Sequence, residues 1–587
     1  MIRIPRDLSA RLADAVRSAQ AAGELPSFEI PQIKITSAAK PEHGDYASNI
    51  AMQIQAVANM KGQSRQIAEI VTRHLPPVDY LSAVEIAGPG FINFRLSESW
   101  LQQQVDEILR EGSNVGQMDD FAGKRAQVEC VSANPTGPLH VGRIRGGVIG
   151  DTMARLLWAM GYGVEMEYYF NNAGRQMMLL GESIKARYRE RLGLPFEFPA
   201  EGYQGTYLYE IADALIAGRG RSLVEESNWE PFKEFAEMYM FKLIKETLDR
   251  LRMHFDVYFN ENSLYQDGSV EAAHKQLDSL DLTYQALKPE TDEGFQGSEL
   301  AEEAAATATG PAVWLRMRHL RGAPKDVVLI RSNEEPTYRL PDIAYHINKM
   351  ERGFDLAVNI LGIDHQDEAK DVKATLTPLG YDNERLQHIL HKYVKVYQHG
   401  ELRKGSTRAG DIISVDDVLD DIAAQVGEEF AVDVIRYFFL VRSPETEIVF
   451  DEDQAIRRSN ENPVYYIQNA YVRSAGIARQ AEEQGISFEG GDVSLLADPR
   501  ELALIRKLIE LPEVIERAVK ELEPHKLAYW AHEELAATFH PTYDEIRALH
   551  TDVPEDMAKA RLKLYAASRI IFKRVLDLMG MSSPERM

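Results

Sequence analysis

Apolar residues recur at helical spacing near the start of the chain (Leu8, Leu12, Val16) and then give way to short apolar runs, Ile30 to Ile35 and Ala83 to Ile86. With the turn-rich Gly88-Pro89-Gly90 between such runs, residues 1–115 read as a small α/β domain. After Glu111-Gly112-Ser113-Asn114 the period changes. Ala126 to Val131 predicts a strand and Ser132 to Pro138 a loop. Leu139 to Met160 predicts a helix, with Val141, Ile144, Val148, Leu156 and Met160 on its apolar stripe, and Val164 to Phe170 predicts a second strand. Strand, helix and strand make a βαβ unit, so a parallel sheet with a right-handed crossover and a ligand crevice at its carboxyl ends is expected. Further strands are expected at Val327 to Arg331, Leu356 to Leu361 and Val394 to Tyr397, carrying this α/β domain over residues 116–453. Within it Lys288 to Gly310 is acidic and poor in large apolar residues, which predicts a solvated insertion. From Gln454 the strand pattern stops. Pro463 after Asn462 marks a helix start, Val464, Ile467, Tyr471 and Ala478 share a face, and residues 454–587 read as an all-α bundle.

A length of 587 residues fits three or four domains at about 150 residues each. The net charge of -25 argues against holding nucleic acid by whole-molecule electrostatics, so any such contact must use local basic patches. The single cysteine, Cys130, allows no internal disulfide and no zinc site built from several thiolates. It reads as a small buried hydrophobe. No run approaches 18 uncharged apolar residues, and charges interrupt the start of the chain, so neither a membrane span nor an export signal is expected and the compartment expected is the cytoplasm.

The densest chemical signal is Glu129 to Arg143, ECVSANPTGPLHVGR. A Pro/Gly-rich loop entering a helix presents unpaired N–H groups and the positive end of the helix dipole, where a phosphate fits. His140 in that position can donate to a phosphate oxygen, and Gly142 is expected to leave room for a nucleotide.

Ser132-Ala133-Asn134-Pro135-Thr136-Gly137-Pro138-Leu139-His140-Val141-Gly142 resembles the HIGH signature of class I aminoacyl-tRNA synthetases in the form used by arginyl-tRNA synthetases. His43 to Asn49, Gly88 to Phe94, Tyr338 to Asp342, Gly362 to His365, Asn462 to Gln468 and the ending Pro584 to Met587 follow later landmarks of that family in order. The resemblance implies a Rossmann-like catalytic domain, an α-helical anticodon-binding domain, and an N-terminal domain set against the outer corner of tRNA. It implies ATP-dependent activation of L-arginine and transfer to the terminal adenosine of tRNA(Arg), first to the 2′-hydroxyl and with activation dependent on bound tRNA. ATP is then a co-substrate bringing Mg2+, no zinc is expected, and the family's usual state is a monomer. Matched to the family, Glu129, Asn134, Tyr338, Asp342 and Asp364 are expected to hold arginine, whose guanidinium is a fixed fork of donors needing carboxylate acceptors. Pro138, His140, Gly142, Arg143, His365, Lys404 and Ser406 are expected at ATP, with His140, Lys404 and Arg408 stabilising phosphate charge.

The second signature reads Arg403-Lys404-Gly405-Ser406-Thr407-Arg408-Ala409-Gly410, where Lys-Met-Ser-Lys-Arg-x-Gly is common. Thr407 replaces the usual second lysine, and Arg143 stands where HIGH ends in histidine, so the cationic work passes to Lys404, Arg408 or another cation. For RNA, Phe91 and Asn93 match positions that stack on and bond to a base, and Arg457, Arg458, Tyr466 and Arg473 are expected in the anticodon-binding domain. These two departures leave a second reading, a non-catalytic tRNA-binding or regulatory paralogue of the same fold.

Overall fold

Helix Ile4–Ala21 buries Leu8, Leu12 and Val16 at the predicted spacing and packs on helix Ser64–His74. The computed structural model describes residues 2–38, 40–291, 306–403 and 413–587. Beside these helices lies a four-stranded antiparallel sheet in the order Ile35–Ser37, Tyr46–Ser48, Phe91–Leu96, Leu81–Ala87. In its last turn Gly90 has φ +127°, and a Cβ there would sit 2.8 Å from the Ser64 carbonyl carbon, so only glycine lets this turn close on the helix.

The second part is a five-stranded parallel sheet: β1 (Arg125–Glu129), β2 (Gly163–Phe170), β3 (Val257–Asn260), β4 (Leu356–Gly362) and β5 (Leu386–His391), in the order β3-β2-β1-β4-β5. Helix α1 (Val141–Ala159) crosses from β1 to β2. The order reverses between β1 and β4, which opens a crevice at their carboxyl ends, the Rossmann-like arrangement. Register sets Glu167, Glu129, Asn359 and His388 side by side across β2, β1, β4 and β5, on one face of the sheet. Helices α2 (Arg339–Glu351) and α3 (Gln366–Leu376) follow in the chain on either side of β4.

The sequence reading differs from this in its strands. Val327–Ile330 joins Ala312–Leu315 and Thr283–Ala286 in a separate antiparallel sheet, and Val394–Gln398 pairs with Glu401–Leu402 and Ile448–Asp451 in another. The strands that complete the parallel sheet are its short edges, β3 and β5, which carry Asn260, Gln387, His388 and His391 among their apolar residues and so lack the continuous apolar run of a central strand. Of the expected insertion, residues 292–305 lie outside the described residues. Ala306 is buried with Ala312, Trp314 and Val328, so one residue of the insertion joins a small core, while Ala308 and Thr309 after it are exposed as expected.

Helices also begin before residue 454, at Val415–Val426 and Glu428–Leu440. Helix Pro463–Glu483 starts as its sequence predicts, with Asn462 Oδ1 accepting from the Val464 amide at 3.0 Å. The bundle ends in the long helix Glu555–Leu578. One apolar core runs from Ile4 and Leu8 through Val128 and Val148 to Ile505, Phe539 and Phe572. The first part docks on helix Leu511–Lys520, where Glu513 accepts from the Ile4 amide at 3.1 Å and from the Tyr46 hydroxyl at 3.3 Å. Among the described residues no helix is long and apolar enough to cross a membrane.

Candidate active site

At the carboxyl ends of β1 and β4 lies a cavity of about 770 Å³. Its entry loop is strained: Val131 and Ser132, just past β1, have φ of +68° and +41°, a region that side-chain-bearing residues rarely occupy. The conformation is held by the Ser132 amide donating to the Cys130 carbonyl at 2.9 Å and by Ser132 Oγ donating to Glu129 Oε1 at 3.0 Å. Cys130 is buried against α1, where a Cβ on Gly150 would approach its Sγ to 2.6 Å, so glycine at that position allows helix and strand to touch. Burial holds the thiol well above its ordinary pKa, which suits packing rather than chemistry.

His140 caps α1. Its Nδ1 accepts from the Gly142 amide at 3.0 Å, so the ring proton resides on Nε2. Burial and the charge of Arg143 hold its pKa below the ordinary imidazole value. The result is a neutral donor at a helix N-terminus. Gly142 also serves this cap: a Cβ there would come within 3.2 Å of His140 Nδ1. Arg143 lines the cavity with its guanidinium in no ion pair or hydrogen bond among the described residues. His365 lines it too, donating to Glu368 at 2.5 Å, a bond that raises the imidazole pKa. Pro138 borders a smaller neighbouring cavity. Lys404, Ser406 and Arg408 lie outside the described residues.

Glu129, Asn134, Tyr338 and Asp342 all line the cavity. Glu129 is buried on its floor, where Oε2 accepts from Lys349 Nζ at 2.6 Å and from the Tyr345 hydroxyl at 3.0 Å. Burial alone would raise its pKa, but the Lys349 charge and hydrogen bond outweigh that and hold the carboxyl below its usual range. Asn134 ties the entry loop to the segment after β2, accepting from the Asn171 amide and donating to Gln176 Oε1, both at 2.9 Å. Tyr338 sits half exposed at the start of α2. Asp342, one turn further, meets His346 Nδ1 at 3.1 Å. Asp364 is not brought into this set: it lies outside the cavity lining, more than half exposed, with Oδ2 3.5 Å from His365 Nε2. Its place just past β4 puts it on the short 3-10 turn that leaves the strand.

Sequence reasoning missed Glu261, which follows β3 directly and lines the cavity wall. Its Oε2 accepts from the Tyr169 hydroxyl at 2.7 Å and its Oε1 from Asn171 Nδ2 at 2.8 Å. Burial raises its pKa, and the charge of Asp342 raises it further. Among the described residues no lysine or arginine forms an ion pair with Glu261 or Asp342. Among the described residues the cavity therefore has an acidic wall with no lysine or arginine paired to it, and Arg143, beside a helix N-terminus, Arg175 and Arg331 elsewhere in its lining. A ligand that is cationic at one end and meets a polyphosphate at the other complements both.

The expected RNA contacts separate into two groups. Phe91 is exposed, and Asn93, two residues on along the same sheet face, is buried with its amide in no hydrogen bond among the described residues. Arg457 is exposed, with only Glu461 at 3.4 Å. Three others are engaged within the protein: Arg458 donates to the Val426 carbonyl at 2.6 Å, Arg473 pairs with Asp544 at 2.9 Å, and the Tyr466 ring packs 4.2 Å from that of His540. Arg458 is nonetheless exposed, and Tyr466 and Arg473 are half-buried, so each keeps a face toward solvent.

Comparison with known proteins gives one answer along the whole chain. The family models for the arginyl tRNA synthetase N terminal domain, the class I (R) tRNA synthetase catalytic domain and the DALR anticodon binding domain match residues 6–96, 104–431 and 467–587. The chain is 39% identical to an arginine–tRNA ligase of Pelodictyon phaeoclathratiforme, over 95% of this chain and 96% of that one. It is 39% identical to an arginine–tRNA ligase of Carboxydothermus hydrogenoformans, over 97% of each. The fold matches that of Thermus thermophilus arginyl-tRNA synthetase with a TM-score of 0.75 at 21% identity, covering 99% of this chain and 100% of that one.

Proposed function

The chain belongs to the arginyl-tRNA synthetase family, and from that premise we propose that the cavity is where arginine and ATP are joined before transfer to tRNA(Arg). The activity is that of an arginine–tRNA ligase. The observation that carries the cavity assignment is the wall pair, Glu261 and Asp342, lining one space with no lysine or arginine paired to either among the described residues. A guanidinium there relieves their mutual repulsion and offers both a planar set of donors. Tyr338 lies beside it, while Glu129 and Asn134, on the entry-loop side, face the α-amino and carboxylate end.

The arginine carboxylate attacks the α-phosphorus, the bond to pyrophosphate breaks, and the terminal adenosine hydroxyl of tRNA then attacks the adenylate carbonyl and releases AMP. His140 donates through Nε2 and Arg143 supplies charge as pyrophosphate leaves, with His365 at the nucleotide. Lys404, Ser406 and Arg408 take the roles the resemblance implies. No side chain becomes covalent, so catalysis rests on orientation and fixed charge. Mg2+ enters on the phosphates of ATP. Phe91, Asn93 and Arg457 contact tRNA, with residues 1–115 at its outer corner and 454–587 at the anticodon. A cytoplasmic monomer completes this reading. The test is pyrophosphate exchange with each amino acid, with and without total tRNA: arginine-specific exchange requiring tRNA is expected, and its absence from folded, tRNA-binding protein would leave the non-catalytic paralogue.

A further inference from the structure

Four polar contacts run in series from Glu129 on the floor of the cavity to Asp342 on its wall. Lys349 Nζ, fully buried, donates to Glu129 Oε2 at 2.6 Å and to Asn359 Oδ1 at 2.8 Å. Asn359 Nδ2 faces His346 Nε2 at 2.8 Å. His346 Nδ1 lies 2.8 Å from the Asp342 carbonyl oxygen and 3.1 Å from its Oδ1. The sheet register places Asn359 beside Glu129, and one face of α2 carries Asp342, His346 and Lys349 at helical spacing.

The sense of every link is set from one end. An ammonium only donates, so Asn359 must turn its oxygen to Lys349 and its amide nitrogen to His346. His346 Nε2 then accepts, Nδ1 carries the proton, and that proton is donated to the Asp342 main-chain carbonyl with the carboxylate Oδ1 3.1 Å from the same nitrogen. Asp342 stands on the first turn of its helix, about one-third exposed. Without a fixed donor its carboxylate is free to turn among rotamers, and ordering it on binding would cost affinity.

We infer that Lys349, Asn359 and His346 are positioning residues of the arginine subsite, with one buried ammonium setting both Glu129 on the floor and, through an amide and an imidazole, Asp342 on the wall. The inference rests on the reading of the cavity above and adds that the two carboxylates are oriented together. None of the three positioning residues touches the reacting atoms.

The test separates orientation from mere packing by comparing two substitutions at residue 346 in the full chain. His346→Asn keeps an amide donor where Nδ1 stands. His346→Gln reaches only to the Nε2 position and loses the bond to Asp342. The Gln variant is expected to raise the arginine KM about tenfold, the usual worth of a hydrogen bond to a charged group, with the ATP KM within about twofold. The Asn variant should recover most of that loss while melting at the same temperature as the Gln variant. Equal arginine KM in the two variants at 346, or a KM that follows melting temperature, would overturn the inference. Wild-type exchange with arginine is measured alongside, so a failure of the broader reading registers separately.

Discussion

On the floor of the cavity Glu129 is buried against Lys349 and its carboxyl is held below the usual range. On the wall Glu261 is buried against a tyrosine and an asparagine, with Asp342 nearby, and its carboxyl is held above that range. Both are glutamates at the ends of strands in the same sheet. Burial pushes each toward the neutral form, and what separates them is one ammonium at 2.6 Å. The floor already contains its counter-charges, Lys349 for Glu129 and Arg352 for Glu167 at 2.5 Å. The wall is left for a ligand to complete. A carboxylate in a pocket thus marks a cation site only after its internal partners have been counted.

The largest effect expected from breaking this contrast is Lys349→Met, which leaves Glu129 buried without its cation. The folded state should lose about 3–5 kcal/mol in denaturant unfolding, and adding Glu129→Gln should return much of it. Next comes Asp342→Asn, which removes a charge that only the ligand balances. The kcat/KM for arginine should fall on the order of 100-fold, with the ATP KM within about twofold. Glu261→Gln should cost about tenfold and also change the pH profile. Because the pKa of Glu261 is raised, its carboxylate protonates above the usual carboxylate range as pH falls, and the arginine KM rises there. The Gln variant should lose that limb.

The smallest effect belongs to a control outside the cavity. Glu513, at the seam with the N-terminal part, is pushed up to about 8 by burial and by the charge of Glu510. Its folded state keeps a proton that the unfolded chain has released, so stability falls as pH rises from the ordinary carboxylate pKa toward 8. Glu513→Gln should flatten that slope, by about 2–4 °C in Tm across the window.

The central strands, α1 and the signature loop were legible because Ala126 to Val131 alternates apolar and polar residues, because Leu356 to Leu361 is a nearly continuous apolar run, and because the loop's Pro, Gly and Asn punctuate the chain before a helical stripe. Glu261 was not legible, because β3 is four half-buried residues at a sheet edge and gives no period to read. Lys349 was hidden for another reason: a lysine near the end of a helical stretch reads as solvated surface, and only the fold turns it onto Glu129. Arg458 and Arg473 were read only as basic residues beside tyrosines, and their partners, the Val426 carbonyl and Asp544, come from segments 32 and 71 residues away that no local pattern brings near.

The most direct measurement is the ratio of kcat/KM for arginine to that for citrulline, its neutral isostere, in tRNA-supported pyrophosphate exchange. If Glu261 and Asp342 form a wall that only a cation completes, the ratio should be on the order of 10⁴ or more and should collapse in Asp342→Asn. Citrulline activated within about tenfold of arginine by the wild-type protein would contradict the account.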